Sequence, residues 1–453
     1  MDLSIRRIIY LIFIIVFLAL TPIIILYASG YRYNFKLAQL QKTGILIIET
    51  EPKRADVFIN QNKAARKTPI ELKNLLPDDY LVKIEKMGYF SWEKKLKVQS
   101  NLTTFANNIL LIKKSLPALE TAGEIFWLEP IFGGNRYLYN FIDGEESAIN
   151  IYDRDSLMTK TLFSTKPNYM INFIEWSGNN KKMLVKYNYN NYAFIDIEME
   201  QAKELPKLKA FSFEKLHWDR LNAGLLYGLS KNSLYQINAE TEQTKAVMAK
   251  YIEDFYILGQ NVYYITKTSD GSYLNHQTLE NDESIKALRL PNFSNYEFRP
   301  APNNLLLVFD KKNNEMFLAN RDVFEKSETE QKSIMQAVKA KEVNWTGDFK
   351  GAIFYNDFEI YNYSAENNDL HLVTRVGQEI KNAVRLQNSD YIIYIADNTL
   401  NIIELGFEIV NNNFKLAELN LLGRNLFIDK KGKLIYFTGR LGGQSGIFEL
   451  EIN

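Results

Sequence analysis

Ile174-Glu175-Trp176-Ser177-Gly178-Asn179-Asn180, then Lys182-Met183-Leu184-Val185-Lys186-Tyr187, then Tyr192-Ala193-Phe194-Ile195-Asp196-Ile197 is the stretch on which the fold turns. It runs as an aromatic entry, a polar turn, an apolar strand, a second turn and another aromatic strand, with β-branched and aromatic residues suited to a pleated surface. Further entries of the same kind stand near Trp127, Trp218, Phe255, Phe298, Trp345, Val384 and Phe427. Their spacing is about forty residues, the period of a four-stranded blade. One such sheet cannot cover both of its faces, so copies at this period must pack side by side around an axis. The spacing therefore predicts that residues 114–453 form a β-propeller of seven or eight blades, with eight favoured.

At equivalent positions of a repeat, the aromatic entries read as packing wedges between blades rather than as binding residues. Function is then expected on the loops at one end of the axis. The connection Tyr187-Asn188-Tyr189-Asn190-Asn191-Tyr192 is a candidate sugar or peptide surface, although hairpin turn chemistry explains its asparagines equally well. Long helical periodicity is absent from this region except at Glu325 to Lys341. Two segments, Trp176-Ser177-Gly178-Asn179-Asn180-Lys181-Lys182 and Asn344-Trp345-Thr346-Gly347-Asp348-Phe349-Lys350, resemble the Trp-Ser-x-Asp-Gly-x-x signature of TolB-type and related propeller repeats. Leu370-His371-Leu372-Val373-Thr374-Arg375 resembles the outer-strand ending of the same repeats, and Trp218-Asp219 lacks the strand position usual for a Trp-Asp dipeptide.

Upstream, the chain changes character. Ile8 to Tyr27 carries no charge, and at about 1.5 Å per residue it spans about 30 Å of hydrocarbon. Residues 1–30 are therefore expected to be a transmembrane helix and signal anchor that meets the lipid bilayer through residues 8–27. Arg6 and Arg7 before it favour a cytoplasmic N-terminus and export of the remainder, a single-pass topology in the cell membrane, although Arg32, Lys36 and Lys42 follow it. A cleaved signal peptide is the alternative, with Ala28 and Gly30 as the small residues of a cleavage site. Tyr27 to Phe35 reads as an interfacial aromatic collar, within a spacer at 31–42.

From Thr43 to Lys113 apolar and polar residues alternate: Ala55, Val57 and Ile59 against Asp56, and Tyr80, Val82 and Ile84 against Lys83 and Glu85. Breakers at Pro52, Thr68-Pro69, Pro77-Asp78-Asp79 and Gly88 divide the stretch into five or six short strands, a small antiparallel sandwich at 43–113. The order Glu51-Pro52-Lys53-Arg54-Ala55-Asp56-Val57, Lys67-Thr68-Pro69, Pro77-Asp78-Asp79-Tyr80 and Gly88-Tyr89-Phe90-Ser91-Trp92 resembles a PEGA domain. The naming tetrad is reduced to Pro52 and Ala55, and Asp79 replaces the usual glycine. The resemblance implies a surface-exposed β-sandwich, commonly tethered to bacterial envelopes, that binds rather than catalyses. Read locally, Thr68-Pro69 starts a strand, Pro77-Asp78-Asp79 makes a turn, Gly88 supplies a positive φ and Trp92 is a half-buried packing residue.

The 54 basic and 54 acidic side chains balance to a net charge of +0, without the footprint that nucleic-acid binding needs. With 0 Cys and 3 His, disulfides, thiolate metal sites and cysteine nucleophiles are excluded. No nucleophile elbow, phosphate loop, HExxH or GxGxxG occurs. His217, His276 and His371 fall in different repeats, and the acidic pairs Asp78/Asp79 and Asp153/Asp155 fall in turns. Asp310-Lys311-Lys312-Asn313-Asn314-Glu315 carries lysines where a cation would sit. No catalytic, cofactor-binding or metal residue is thus assigned, and no cofactor is expected. The order of parts points to a membrane-anchored extracytoplasmic binding protein of the cell envelope, with an envelope protein or glycan as partner. The alternatives are an anchored polysaccharide or peptide hydrolase or lyase, or a scaffold that docks partner proteins.

Overall fold

The computed structural model describes residues 3–131, 135–144, 146–166, 170–279, 281–302, 304–326, 335–387, 389–406 and 412–453. It divides into a first unit holding residues up to Ser115 and a second that holds nearly all the rest.

In the first unit the apolar run forms one helix, Leu3–Ala28, with Pro22 inside it. Thr21 Oγ1 donates to Phe17 O at 2.7 Å beside the donor that proline lacks. Ile5–Ala28 has a mean hydropathy of 3.1 and no burial, so it is long and apolar enough to cross a bilayer. Gly30, at φ +83°, ends the helix in the left-handed region. Residues 31–42, expected to be a spacer, instead form a two-stranded ribbon, Tyr31–Asn34 antiparallel to Gln39–Lys42. Asn34 Oδ1 builds its turn by accepting from the Lys36 and Leu37 amides.

The small β domain has two sheets. One orders Ile70–Leu75, Gly44–Glu51 and Thr103–Leu110; the other orders Asn62–Lys63, Asp56–Ile59, Asp78–Glu85 and Trp92–Val98. Seven strands are present rather than five or six, and Gly44–Glu51 runs parallel to Thr103–Leu110, not antiparallel. Alternation reports which face is buried but not strand direction; Ile70–Leu75 pairs antiparallel with one edge of Gly44–Glu51, and Thr103–Leu110 reaches the other edge only after the second sheet is complete, where it runs parallel. Leu46, Ile48, Val57, Val82, Ile84 and Trp92 fill the interior. Trp92 is 2% exposed, not half-buried, because it lies between the two sheets. Thr68 is buried, with Oγ1 accepting from the Ala55 amide and sharing a 2.6 Å bond with Thr50 Oγ1.

Among its described residues the second unit contains eight four-stranded antiparallel sheets. Seven are consecutive in sequence, with first strands Glu124–Pro130, Asn172–Trp176, Lys215–Trp218, Asp254–Leu258, Tyr296–Phe298, Glu342–Trp345 and Ile380–Arg385. The eighth joins Leu421–Ile428, Leu434–Leu441 and Gln444–Glu451 to Ala118–Ala122 from the start of the region. That pairing closes the ring by hydrogen bonds and makes the blade count eight. All eight aromatic or apolar entries read from the sequence fall on first strands, which lie against one another around the axis. Buried clusters bridge neighbouring sheets; Leu138 and Ile149 of the first blade pack with Met183 and Val185 of the second. Of the expected helical stretch 325–341, Glu325 ends a short 3-10 turn that begins at Arg321 and Gln336–Val338 is a strand, because the fifth blade needs its fourth strand there; 327–334 lie outside the described residues.

Candidate binding mouth of the propeller

The turn after each first strand decides what one end of the axis presents. In Trp176-Ser177-Gly178-Asn179, Ser177 Oγ accepts from the Lys182 amide at 2.9 Å, and Asn179 Oδ1 accepts from Ser177 Oγ and the Lys181 amide. Thr346 and Asp348 repeat this geometry: Thr346 Oγ1 accepts from the Gly351 amide at 3.0 Å, and Asp348 Oδ1 from Thr346 Oγ1 and the Lys350 amide. The signature is therefore a hairpin staple. Gly178 is required there, since a Cβ would collide with the Arg220 carbonyl of the next blade.

These hairpins rim a cavity of about 900 Å³. Five blades contribute, with Glu129, Arg136 and Arg154 from the first, Trp176 from the second, Trp345, Asp348, Lys350 and Glu366 from the sixth, Arg385 from the seventh and Asp429 from the eighth. Several charges are already engaged. Arg136 pairs with Glu200 at 3.0 Å and Arg154 with Glu449 at 3.3 Å, whereas Arg385 lies 3.8 Å from Asp390. Asp429 Oδ1 accepts from the Lys433 and Leu434 amides, and Asp348 serves its staple. Hydrogen bonding to Thr346 and to backbone amides holds the Asp348 carboxyl below its ordinary range. Glu129 differs: burial pushes its carboxyl up to about 7, opposed by a hydrogen bond with Trp176. Trp345 Nε1 donates to Pro300 O at 2.8 Å, and Trp127 Nε1 to Ile171 O at 2.7 Å, so these indoles bind blade to blade.

A second cavity, about 440 Å³, lies among the first strands of the second to fifth blades. Glu175 accepts from the Trp218 amide and sits 3.3 Å from His217 Nδ1. Lys215 reaches Asp254 at 2.8 Å, and Asp254 accepts from the Phe298 amide at 2.7 Å. Burial lowers the His217 pKa, but Glu175 and Asp254 outweigh it and the net shift is upward. The series continues with Asn344 donating to Ala383 O, Asn382 to Arg424 O and Asn425 to Phe126 O. Polar side chains thus cross-link successive first strands, a girdle that the sequence reading missed. Its signal was present: Glu175, His217 and Asn344 each precede the Trp entry of their repeat.

The structure does not bring the three histidines together. His276 bonds Asn261 at 3.0 Å and stacks on Tyr263, and His371 sits 3.6 Å from Asp369. Asp153 caps the Asp155 and Ser156 amides in its turn, whereas Asp78 and Asp79 open a strand rather than a turn, Asp78 accepting from the Asp79 amide. Asp310 is fully buried and accepts from Ser294, Asn292 and the Lys312 and Asn313 amides, a fold staple invisible to a search for cation loops. In the connection 187–192, Asn188 and Tyr189 adopt positive φ as hairpin turn residues, with Tyr189 exposed. It joins second to third strands and so emerges at the end of the blade opposite the staples. Among the described residues no group of three His, Asp or Glu is placed to hold a metal ion.

Residues 43–111 match the PEGA domain. No curated protein matches the chain. Among solved structures, the chain is similar to the C-terminal WD40 domain of Sif2, at 9% identity and a TM-score of 0.48, over 75% of this chain and 97% of that one. It is also similar to the β-propeller domain of Myceliophteria thermophila Cps50 (Swd1), at 10% identity and a TM-score of 0.45, over 75% and 99%. For the Dos1 propeller the identity is 13% and the TM-score 0.45, over 74% and 95%.

Proposed function

We propose that this chain is a membrane-anchored, non-catalytic binding protein of the cell envelope whose propeller mouth grips a polar segment of a partner protein. The observation that carries the reading is the cavity of about 900 Å³ rimmed by hairpins of five blades, a concave site of the size that takes a ligand rather than a flat face. Its lining mixes Arg385 and Lys350 with Glu366, a pattern suited to a peptide of mixed charge. Protein is favoured over glycan because the indole of Trp345 is bonded into its neighbouring blade instead of lying open as a sugar platform. The apolar helix with Arg6 and Arg7 before it supports a cytoplasmic N-terminus, with the PEGA domain and the propeller outside.

The test is direct. Full-length protein carrying Arg385→Glu and Lys350→Glu should lose at least tenfold in affinity for envelope proteins captured by the unaltered chain, while binding of purified cell-wall glycan stays absent in both. Equal capture by the variant removes the mouth from the binding site. Alkaline carbonate should leave the chain in the membrane fraction, and protease added outside intact cells should reach the propeller. A second reading, an anchored hydrolase or lyase, is favoured by Glu129, whose carboxyl at about 7 is poised for proton transfer in the mouth. It requires polysaccharide or peptide turnover that Glu129→Gln abolishes without weakening binding.

A further inference from the structure

The ribbon after the helix has two unlike faces. Across its ladder Tyr31 faces Lys42 and Tyr33 faces Leu40, so these four share one face; Arg32 faces Gln41 and Asn34 faces Gln39 on the other. The second face is internally satisfied. Asn34 Nδ2 donates to Gln41 Oε1 at 2.8 Å, and Arg32 Nη1 donates to the Tyr27 and Tyr31 carbonyls, its guanidinium 3.5 Å from the centre of the Tyr27 ring. On the first face Lys42 lies near the Tyr31 ring, and beyond that pair the face is apolar and uncovered. Tyr33 is 47% exposed, Leu40 52% and Phe35, packed edge-on against Tyr33, 87%. Two-stranded ribbons are marginal in water, so a ribbon with a bare aromatic face needs a second surface.

We propose that this face lies in the interfacial layer of an anionic bilayer, with Tyr33, Phe35 and Leu40 among the glycerol and upper acyl groups and Lys36 and Lys42 at the lipid phosphates. The inference rests on the helix being a membrane anchor. Continuity is the first support: Thr43 bonds back to the Gly30 carbonyl through its amide and its hydroxyl, pinning the ribbon to the helix end. Charge is the second, because no acidic residue occurs between Asp2 and Glu49 while Arg32, Lys36 and Lys42 do. Lys36 also reaches Asp78 at 3.1 Å, a pair with both members in solvent that headgroups can displace. Composition fits as well, since aromatic rings favour the water–hydrocarbon boundary.

A chain with 0 Cys allows unique labelling. Full-length Phe35→Cys, Leu40→Cys, Gln41→Cys and Phe13→Cys, each carrying an environment-sensitive nitrobenzoxadiazole label, would be reconstituted into vesicles of phosphatidylcholine with or without phosphatidylglycerol. With phosphatidylglycerol, labels at 35 and 40 should shift to shorter wavelength and be quenched by a nitroxide at headgroup depth, with 41 quenched much less. Both effects should weaken in phosphatidylcholine alone and in a Lys36→Gln/Lys42→Gln background. Labels at 35 and 40 that report water while 13 reports lipid overturn the ribbon proposal and leave the anchor standing. Water at 13 as well overturns the anchor reading itself. Shielding at 35 and 40 that rises with protein density instead of lipid charge assigns the face to another protein and likewise overturns the proposal.

Discussion

Gly44–Glu51 in the sandwich and Leu305–Asp310 in the propeller are both short strands, yet they are buried in different ways. The first alternates between covered and open positions, while the second, like Tyr391–Ala396, is buried at every position. A sandwich strand turns one face to its partner sheet and the other to water. A middle blade strand has a neighbouring blade on each side. The sandwich can therefore carry charge along its outer faces, whereas the propeller keeps charge on its turns, its rim, the axis-lining first strands and exposed fourth strands such as Asp369–Arg375. That is where the staples, the girdle and the mouth are found.

The comparison breaks most sharply at Trp92. Trp92→Ala should cost about 3–5 kcal/mol, and the loss should appear as faster amide exchange across residues 44–110, with the propeller strands unchanged. Equal acceleration in both regions would mean that they do not fold as separate cores. The next test uses pH. Glu129 has a folded pKa of about 7 against an ordinary 4.5, so the folded propeller binds the extra proton between those values. Its stability should be fullest below about pH 4.5, fall by on the order of 3 kcal/mol through about pH 7 and then level off. Glu129→Gln should flatten that profile in denaturant titrations at several pH values. The sandwich has the opposite sign: hydrogen bonding from Lys63 lowers the Asp56 carboxyl and the Asp79 amide lowers that of Asp78, so their contributions hold at neutral pH and are lost on acidification.

The smallest effect sharpens the equivalence of blades. Ser177→Ala and Thr346→Ala each remove one staple and should each cost about 1 kcal/mol, read as local exchange in the hairpins 177–182 and 346–351. Unequal losses would show that the repeats share a pattern but not a load. Either outcome is separable from the Trp92 result, because neither residue touches the sandwich core.

Legibility followed the same division. Every blade entry was readable because an aromatic or apolar residue recurs once per repeat on a first strand; Trp218 and Phe255 are buried there, while Trp176, Trp345 and Phe427 stay partly exposed and line the mouth. The sandwich and its turn residues were readable because alternation and breakers are local signals. Strand direction at Thr103–Leu110, the folding of 31–42 into a ribbon and the burial of Asp310 were not, since each depends on residues distant in sequence or on side-chain bonds within a turn. Glu129 carried no local sign either. Its raised proton affinity comes from burial in the folded propeller, which the hydrogen bond with Trp176 of the next blade offsets only in part.

The chain's linear pattern determined the apolar span, the period-two module and the forty-residue repeat, because hydrophobic spacing dictates what each segment must bury. Only the closed ring decided which polar residues face the axis, which hairpins meet at one rim and which carboxyl loses its water. Those outcomes depend on segments far apart in sequence becoming neighbours, and the energies that matter there, desolvation and pairing of charge, exist only once they are.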